Sequence, residues 1–575
     1  MSQTPSASIW LVNLFGMSIA PSSFNPDNSL AALAGALKRH EYRPLILDYQ
    51  TFDYGRLFMP QEIGNELRVK LDAFHREGND HGALDDLLNL EKRLAEHQLN
   101  IVDTIAEELV LRASQEAPLF VGFKVYSGDG VRLSDHLAQI LKRRLGVVTV
   151  AGGPVVKVVG EDLMESVNGF DYLIDGEAEN AIVQFAEYVE GKKKIGDVKG
   201  LIYRGEDGQL TANQRDVIPD LDSLPDPCYD EEVYPALWES GQKTMVFQID
   251  ESRGCPNTCS FCVHPSISRS GTRLQSPKKI VRQIKDLQKK FGAYAFRFTG
   301  SNTPRQFLSP FADLVLKEGL DIRYSCFTSV NFAKIDLLPK LKASGLCGLF
   351  IGIETLDEDL LVNVVTKKGQ KKQRVKEVIQ AVLENGIFLT TSWIYPMPRM
   401  TEEARVEMKD LILETYEGRP NSGSVVIVPG TVVPGTKWFS ESETFGFEIP
   451  SKPQLIKDYV HLTLRTHVPR QLLNRMSFSY EGKTFNENNY LTDRLTSEIR
   501  NKGVLVNMTD DWMLMGKLSG RSLEEFQGDI LKALLYGDFS PISEVIRAIN
   551  SNSRQRVFAD QKDLNWGQPP SRKAS

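Results

Sequence analysis

The chain has 575 residues, of which 41% are hydrophobic, 25% charged and 9% aromatic. This length exceeds the ~250–300 residues at which a single core stops growing, so we expect two to four domains, and the composition excludes a disordered or fibrous chain. The formal net charge of −7 provides no overall basic surface, which argues against a dedicated nucleic-acid-binding protein.

The amino-terminal residues, MSQTPSASIWLVNLFG, lack the charged segment and long apolar run of a signal peptide. No later stretch approaches the ~18 apolar residues of a membrane helix, so we expect no membrane span and a cytoplasmic location. Three of the six cysteines lie within eight positions, from 255 to 262. Such crowding is typical of a metal site in a reducing compartment and not of a disulfide framework.

Residues 1–200 predict an α/β domain with a doubly wound parallel sheet. Helix-periodic segments such as SLAALAGALKRH separate five strand-like runs, which read IWLVNLFG, PLILDY, LFVGFKVYS, VVTVAGGP and FDYLIDGE. Residues 55–115 are charged and helix-periodic without strand-like runs, and they predict a helical insertion into this Rossmann-like domain.

The remainder of the chain predicts three further segments. Residues 201–245 turn hairpin-like and then proline-rich, which is typical of a linker. Residues 246–440 alternate six strand-like runs with helices and predict a partial (β/α)6 TIM barrel, whose active site lies where the strands end. Residues 441–575 predict a mixed C-terminal domain that covers the barrel mouth with RMSFSYEGKTF and DDWMLMGKL, and that ends in a loose polar tail of about a dozen residues.

The strongest chemical signal is RGCPNTCSFC, which spaces Cys255, Cys259 and Cys262 as C-x-x-x-C-x-x-C. Thiolates are the soft ligands that iron–sulfur clusters require, and three in one loop can bind three irons and leave the fourth open. A zinc loop completed by His264 is the alternative. Structural zinc sites usually take four ligands from two separated pairs, however, and the sequence has no second C-x-x-C.

This loop and the surrounding residues 246–440 resemble the radical S-adenosylmethionine superfamily. The resemblance implies that Cys255, Cys259 and Cys262 bind a 4Fe-4S cluster, and that its open iron binds the amino and carboxylate groups of S-adenosylmethionine. Phe261 would contact the adenine. An external electron donor such as flavodoxin or ferredoxin would reduce the cluster, which cleaves S-adenosylmethionine to a 5′-deoxyadenosyl radical.

Two later strand ends resemble the same family. Thr299, Gly300, Ser301 and Asn302, the turn TGSN, stand where the family has a glycine-rich or acidic turn near the methionine amino group, although the usual Gly-Gly-Glu is missing. In GIET, the resemblance implies that Gly352 lets the cofactor approach the backbone and that Glu354 accepts a hydrogen bond from a ribose hydroxyl. A solvated cap is the alternative for a lone glutamate after a strand.

The first domain resembles the cobalamin-binding domain that precedes many barrels of this family. The candidate cofactor contacts are at strand ends, namely Gly152, Gly153, Gly176 and Glu177. Ordinary turns without a cofactor are the alternative. The Asp-x-His-x-x-Gly motif that ligates cobalt from below is missing, and residues 48–55 read DYQTFDYG instead. Bound cobalamin would therefore lack a histidine ligand.

The resemblance thus predicts an enzyme that methylates an unactivated carbon of a biosynthetic intermediate, a small molecule or a peptide, through methylcobalamin. Radical cyclisation or rearrangement without methyl transfer is the alternative within the same class. An iron–sulfur protein for electron transfer or redox sensing is the alternative from a different class.

Overall fold

The computed structural model describes residues 6–559 except 16–20, 78–80, 268–270, 332, 368, 420 and 463–475. The expected polar tail lies outside the described residues. Within these ranges, no helix has both the length and the apolar character that crossing a bilayer requires.

Residues 6–212, here called the front domain, form one mixed sheet and its covering helices. The elements are β1 Ser8–Asn13, α1 Asn28–Arg39, β2 Arg43–Asp48, α2 Phe52–Phe58, α3 Gln61–Glu77, α4 His81–Gln115, β3 Phe120–Lys124, α5 Asp129–Leu145, β4 Val148–Gly152, α6 Pro154–Val159, β5 Tyr172–Ile174, α7 Ala178–Val189, β6 Leu201–Arg204 and β7 Leu210–Ala212. The strand order is β2-β1-β3-β4-β5-β6-β7, with five parallel strands followed by two antiparallel ones. The predicted doubly wound sheet is confirmed.

Both faces of this sheet are covered, because successive side chains of a strand point to opposite faces. Ile9 and Leu11 pack with residues of α1 and α7, whereas Trp10 and Val12 pack with residues of α4 and α5. The sheet also continues past residue 200, where the sequence predicts a linker. Gly200 has φ 67 and lies so close to Asp175 that a Cβ would be 2.3 Å from its carbonyl oxygen, so the chain turns back there and β6 pairs with β5.

The second large sheet is a six-stranded parallel half-barrel. Its segment contains α8 Pro235–Trp238, β8 Val246–Ile249, β9 Ser252–Arg253, α9 His264–Ile267, β10 Arg273–Leu274, α10 Pro277–Phe291, β11 Ala295–Phe298, α11 Arg305–Lys317, β12 Arg323–Ser329, α12 Leu338–Ala343, β13 Leu346–Glu354, α13 Glu358–Asn363, α14 Lys372–Glu384, β14 Phe388–Ile394, α15 Glu402–Tyr416, β15 Gly423–Val428 and α16 Lys437–Ser440. Strands β8, β11, β12, β13, β14 and β15 lie in this order, all parallel. The predicted partial barrel is confirmed. We call the carboxyl ends of these strands the barrel mouth and their amino ends the barrel floor.

The C-terminal segment divides between these two ends. It contains α17 Lys452–Val460, β16 Ser479–Tyr480, β17 Lys483–Thr484, α18 Phe485–Arg500, α19 Asp510–Ser519, α20 Leu523–Tyr536 and α21 Ser540–Gln555. Tyr480 donates a hydrogen bond to the carbonyl of Pro396, just after β14. The described part of the segment RMSFSYEGKTF, residues 476–485, therefore lies on the mouth side. Residue 475 lies outside the described ranges.

The segment DDWMLMGKL, by contrast, does not cover the mouth. It forms α19, which lies against the barrel floor: Asp510 binds Arg297 of β11 and Ser325 in the first half of β12, and Met513 lies against Gly348 in the first half of β13. The expectation for these residues is corrected. The inward-pointing Arg297 needs a buried counter-charge, and Asp510 and Asp511 provide it.

Candidate active site

The cysteine loop, residues 255–262, follows β8 at the barrel mouth and is held by two other segments. Ser260 donates a backbone hydrogen bond to Val365 (3.0 Å) and a hydroxyl hydrogen bond to Val364. The backbone of Trp438 donates to Ser260 (3.1 Å), and its indole nitrogen donates to Val364 (2.9 Å). The loop is therefore fixed by the turn after β13 and by α16, neither of which its own sequence reveals.

The three predicted ligands lie near one another in this loop. Cys259 is buried and Cys255 and Cys262 are half-buried. Burial raises the pKa of Cys259 to about 12; Lys367 acts against this rise, and the nearby Glu354, Cys262 and Cys255 add to it. Burial likewise raises the pKa of Cys262 to about 11. Such thiols stay protonated at neutral pH unless a metal binds and displaces the proton.

Three thiolates within one loop suit an iron–sulfur cluster. Within the described ranges, no three Cys, His, Asp or Glu side chains converge as they would on one metal ion. In a four-iron cluster each thiolate binds a different iron, so the three sulfurs need not meet at one point. The ring of His264 instead lies 3.0 Å from the hydroxyl of Ser301, measured at Nδ1, which does not favour the zinc loop.

Glu354 stands at the end of β13, beside the cysteine loop, in a left-handed conformation with φ 69. Its buried carboxylate lies 3.1 Å from Nζ of Lys367, which also donates to the carbonyl of Gly352 (2.5 Å). A Cβ on Gly352 would lie 2.3 Å from Oε1 of Glu354. The glycine of GIET thus makes room for the glutamate side chain of the same motif. Its predicted role toward a cofactor stays a prediction.

The loop after β11, residues 299–303, contacts Glu251, the residue just before β9. The fully buried carboxylate of Glu251 accepts hydrogen bonds from the backbone of Gly300 (3.0 Å) and from the hydroxyl of Thr303 (2.7 Å). Burial raises the pKa of Glu251 to about 7. No sequence motif marks Glu251. A charged residue at the end of a buried strand was the only available signal.

Two buried polar side chains at the mouth have no partner among the described residues. They are Asn302, which is 2% exposed and lacks a hydrogen bond at both Oδ1 and Nδ2, and Ser329, which ends β12. Buried polar groups are almost always hydrogen-bonded, so two orphans at adjacent strand ends indicate groups that a ligand satisfies. The resemblance places Asn302 in the turn near the methionine amino group, whereas no sequence pattern marks Ser329.

Phe261 lies between the second and third cysteines of the site. Its ring centroid is 5.7 Å from that of Trp438, and it packs against the apolar cluster of the mouth. The ring is half-buried, so one part of it is free to meet a ligand. Its contact with adenine stays a prediction.

The predicted cofactor contacts of the front domain divide into two kinds. Gly153 and Gly176 both have φ 115, and a Cβ on Gly153 would lie 2.9 Å from the carbonyl oxygen of Val125. A Cβ on Gly152 would meet only the carbonyl oxygen of Ile174, at 3.5 Å, which is an ordinary contact distance. Glu177, by contrast, accepts hydrogen bonds from Arg273 and from the backbone of Ile218. It ties the front domain to the β9–β10 hairpin.

The strand order of the front sheet reverses between β1 and β3. Ligands of such sheets bind outside the carboxyl ends of the strands at this switch point. Lys124 ends β3 there, forms an ion pair with Asp27 (2.5 Å) and lies 5.3 Å from the ring centroid of Tyr126. Asn13, which ends β1, donates to both Asp27 and Asp48. These residues were not among the predicted contacts, which were chosen from the turns at strand ends. The switch point is set by the order of the strands in the sheet, which those turns do not indicate.

The carboxyl edge of the front sheet faces the barrel mouth. The backbone of Gly128, after β3, donates to Val460 (2.7 Å). Arg253, two residues before Cys255, forms ion pairs with Glu177 (3.6 Å) and Glu179 of the front domain. These contacts join the front-domain strand ends to residues beside the cysteine loop.

Comparison with known proteins identifies the second domain. Residues 251–412 match the model of the Radical SAM superfamily. This match contains the cysteine loop, the loop after β11 and the GIET turn. The chain thus carries a radical SAM domain.

Two curated relatives extend the similarity. The anaerobic magnesium-protoporphyrin IX monomethyl ester cyclase of Synechocystis sp. is 22% identical over 274 residues, which cover 45% of this chain and 52% of that protein. An uncharacterized methyltransferase of Pyrococcus horikoshii is 22% identical over 316 residues, which cover 54% of this chain and 68% of that protein. The chain thus spans about half of the first relative and two thirds of the second.

Among solved structures, the radical S-adenosylmethionine methyltransferase TsrM from Kitasatospora setae, with cobalamin and a [4Fe-4S] cluster bound, has the same fold. The TM-score is 0.61 at 14% identity, and the match covers 95% of this chain and 100% of that chain. The similarity extends over the front domain as well as the barrel.

Proposed function

We propose that this chain is a cobalamin-dependent radical S-adenosylmethionine enzyme that transfers a methyl group to a carbon of a small-molecule or peptide substrate. The observation that carries the proposal is the pairing of Arg253, two residues before the first cysteine, with Glu177 and Glu179, which follow β5 of the front sheet. This contact places the carboxyl edge of the front sheet beside the cysteine loop, so that cofactors bound at the two places could act on one substrate.

In this proposal, Cys255, Cys259 and Cys262 bind the 4Fe-4S cluster at the barrel mouth. The orphaned polar atoms of Asn302 and Ser329 supply the hydrogen bonds that the polar groups of S-adenosylmethionine need. When bound, the cluster supplies an electron for reductive cleavage of S-adenosylmethionine, and cobalamin carries the methyl group.

Other residues of the mouth orient these ligands. Lys367 holds the Glu354 carboxylate toward the cysteine loop, where we expect it to accept a hydrogen bond from the ribose. The Trp438 backbone and indole fix the loop that carries the cysteines, and the ring of Phe261 packs against the indole at an interplanar angle of 52°.

The front domain binds cobalamin at its switch point in this proposal. The side chains of Lys124 and Asp27 supply a paired polar surface there, and Tyr126 supplies an aromatic one. The glycine turns at Gly153 and Gly176 leave the neighbouring strand ends without side chains. Residues 48–55 contain no histidine, so no ligand to cobalt is expected from that loop.

Cyclisation without methyl transfer is a second candidate, favoured by the similarity to the ester cyclase. Methyl transfer and cyclisation differ in the fate of the methyl group of S-adenosylmethionine.

Anaerobically reconstituted enzyme should contain four irons and one cobalt per chain, as counted by elemental analysis. With methyl-labelled S-adenosylmethionine and a reduced flavodoxin or ferredoxin as the external donor, incubation with a cytoplasmic extract of the source organism should place the label in a small molecule or peptide.

The outcomes separate the candidates. Label in the product supports methyl transfer. Release of 5′-deoxyadenosine with no transfer of label supports cyclisation or rearrangement. A chain that takes up iron but neither binds nor cleaves S-adenosylmethionine would contradict both, and would favour an electron carrier.

A further inference from the structure

A buried carboxylate outside the predicted cofactor contacts lies between two of the active-site loops. Glu251 follows β8 by two residues and precedes Cys255 by four, and its side chain is fully buried. Its Oε1 accepts hydrogen bonds from Thr303 (2.7 Å) and Ser252 (2.9 Å), and its Oε2 accepts one from the backbone of Gly300 (3.0 Å). One carboxylate thus takes two donors from residues 299–303 and one from Ser252, the first residue of β9, just before the cysteine loop.

Gly300 is shaped for this contact. A Cβ at Gly300 would lie 2.2 Å from Oε1 of Glu251 and 2.0 Å from the hydroxyl of Ser252. Real Cβ atoms do not approach other atoms so closely, so any other residue at position 300 would displace the side chains of Glu251 and Ser252 from their present positions. The glycine of TGSN therefore serves the close approach of the loop to Glu251.

The neighbouring residues connect this contact to the ligand site. Ser301 touches the ring of His264, which follows the last cysteine by two residues. Asn302 comes next, with its amide buried and both polar atoms free of partners. Contacts at 300, 301 and 303 thus fix the backbone on both sides of Asn302, whose side chain has no hydrogen-bond partner among the described residues.

We infer that Glu251 is a positioning residue, which holds residues 299–303 against the cysteine loop so that the Asn302 amide points at a polar group of S-adenosylmethionine. This inference rests on the proposed function. Glu251 itself is buried behind the loop and acts through Asn302, so its loss should weaken ligand binding without removing the cluster.

The test uses anaerobically reconstituted holoenzyme and the variants Glu251→Ala, Glu251→Gln and Gly300→Ala. Iron per chain is counted, S-adenosylmethionine affinity is measured by equilibrium dialysis, and electron paramagnetic resonance of the reduced cluster is recorded with and without S-adenosylmethionine. Asp510→Asn is the matched control, because it also perturbs a buried carboxylate of the barrel but lies at the floor.

Glu251→Ala and Gly300→Ala should keep the iron content and lose at least about tenfold in affinity, with a weaker change of the resonance signal on ligand addition. Glu251→Gln should lose less, because its amide oxygen still accepts a hydrogen bond. Asp510→Asn should lower the unfolding temperature and leave the affinity unchanged.

Three outcomes would overturn the inference. One is unchanged affinity in both alanine variants, and another is loss of iron in them but not in Asp510→Asn. The third is an equal loss of affinity in the control. If Glu251→Ala does not fold, the affinities of Gly300→Ala and Glu251→Gln test the inference in its place. Wild-type enzyme that holds iron but does not bind S-adenosylmethionine would instead contradict the proposed function.

Discussion

The carboxylate of Glu354 and the ammonium group of Lys367 lie 3.1 Å apart, and both side chains are buried beside the cysteine loop. Removing one partner of a buried ion pair leaves the other charge uncompensated. The turn after β13 therefore depends on both residues, although 13 positions separate them in the chain.

Lys367→Met should lower the free energy of unfolding by about 3–5 kcal/mol, because it leaves the Glu354 carboxylate buried without a partner. Adding Glu354→Gln should restore part of this loss. Urea unfolding of the iron-free protein measures both. Lys371→Met is the control, since Lys371 and its partner Glu358 are exposed, and it should change stability little. Equal effects of Lys367→Met and the control would contradict the prediction.

Alanine at Cys255, Cys259 or Cys262 should remove most of the iron and abolish cleavage of S-adenosylmethionine. Cys228→Ala, Cys326→Ala and Cys347→Ala should keep both, because these thiols lie outside the loop. His264→Ala should also retain iron, since its ring contacts Ser301. Colorimetric iron analysis and product chromatography measure the outcome. A Cys259→Ala protein with full iron and activity would contradict the cluster assignment.

Glu251 should make stability depend on pH. Burial raises its pKa to about 7 from an ordinary 4.5, with smaller effects of Asp250 nearby. Below pH 4.5 the Glu251 carboxyl is protonated in both the folded and the unfolded chain, whereas between pH 4.5 and 7 it releases its proton only in the unfolded chain. The free energy of unfolding should therefore fall as pH rises through this window, by on the order of 3 kcal/mol, and level off above it.

The comparison of wild type with Glu251→Gln isolates this effect, because glutamine does not titrate. Urea unfolding at several pH values between 5 and 8 should show the variant gaining on the wild type as pH rises, since only the wild type loses stability there. The thiol of Cys326 also lies close to Glu251, but burial raises its pKa well above the range studied. A constant difference between the two proteins would contradict a raised pKa.

The front domain should bind about one cobalamin per chain without a protein histidine on cobalt. Electron paramagnetic resonance of the cob(II)alamin form should then show no nitrogen superhyperfine splitting. Lys124→Met should reduce cobalt uptake and leave iron uptake unchanged, because Lys124 lies at the switch point and the cysteines lie in the barrel. Lys142→Met, which alters a half-exposed lysine paired with Asp171, is the control. Failure of wild-type protein to take up cobalt from excess hydroxocobalamin would exclude methyl transfer by cobalamin.

The parts of the fold that were predicted correctly are those coded by local patterns. The strand runs and helix periods of residues 9–177 and 246–430 give the two sheets, because buried parallel strands read as short apolar runs between helices. The cysteine loop could also be predicted, because its three ligands lie within eight consecutive residues.

The parts that were missed depend on contacts between distant positions. Glu251 and Gly300 are 49 residues apart, and Arg297 and Asp510 are 213 apart. Nothing in either local sequence indicates its partner. The switch point of the front sheet likewise depends on strand order, which the sequence of each strand does not contain, so Lys124 and Asp27 went unnoticed.

The position of α19 against the barrel floor also bears on synthesis of the chain. The half-barrel strands leave the ribosome well before Asp510, and the guanidinium of Arg297 has no carboxylate partner until that residue is made. At ~5–20 residues per second, the interval of 213 residues lasts about 10–40 seconds. We therefore expect a nascent barrel with an open floor, which completes its packing only when nearly the whole chain has emerged. Shortened forms that end before residue 510 should be captured by chaperones or degraded.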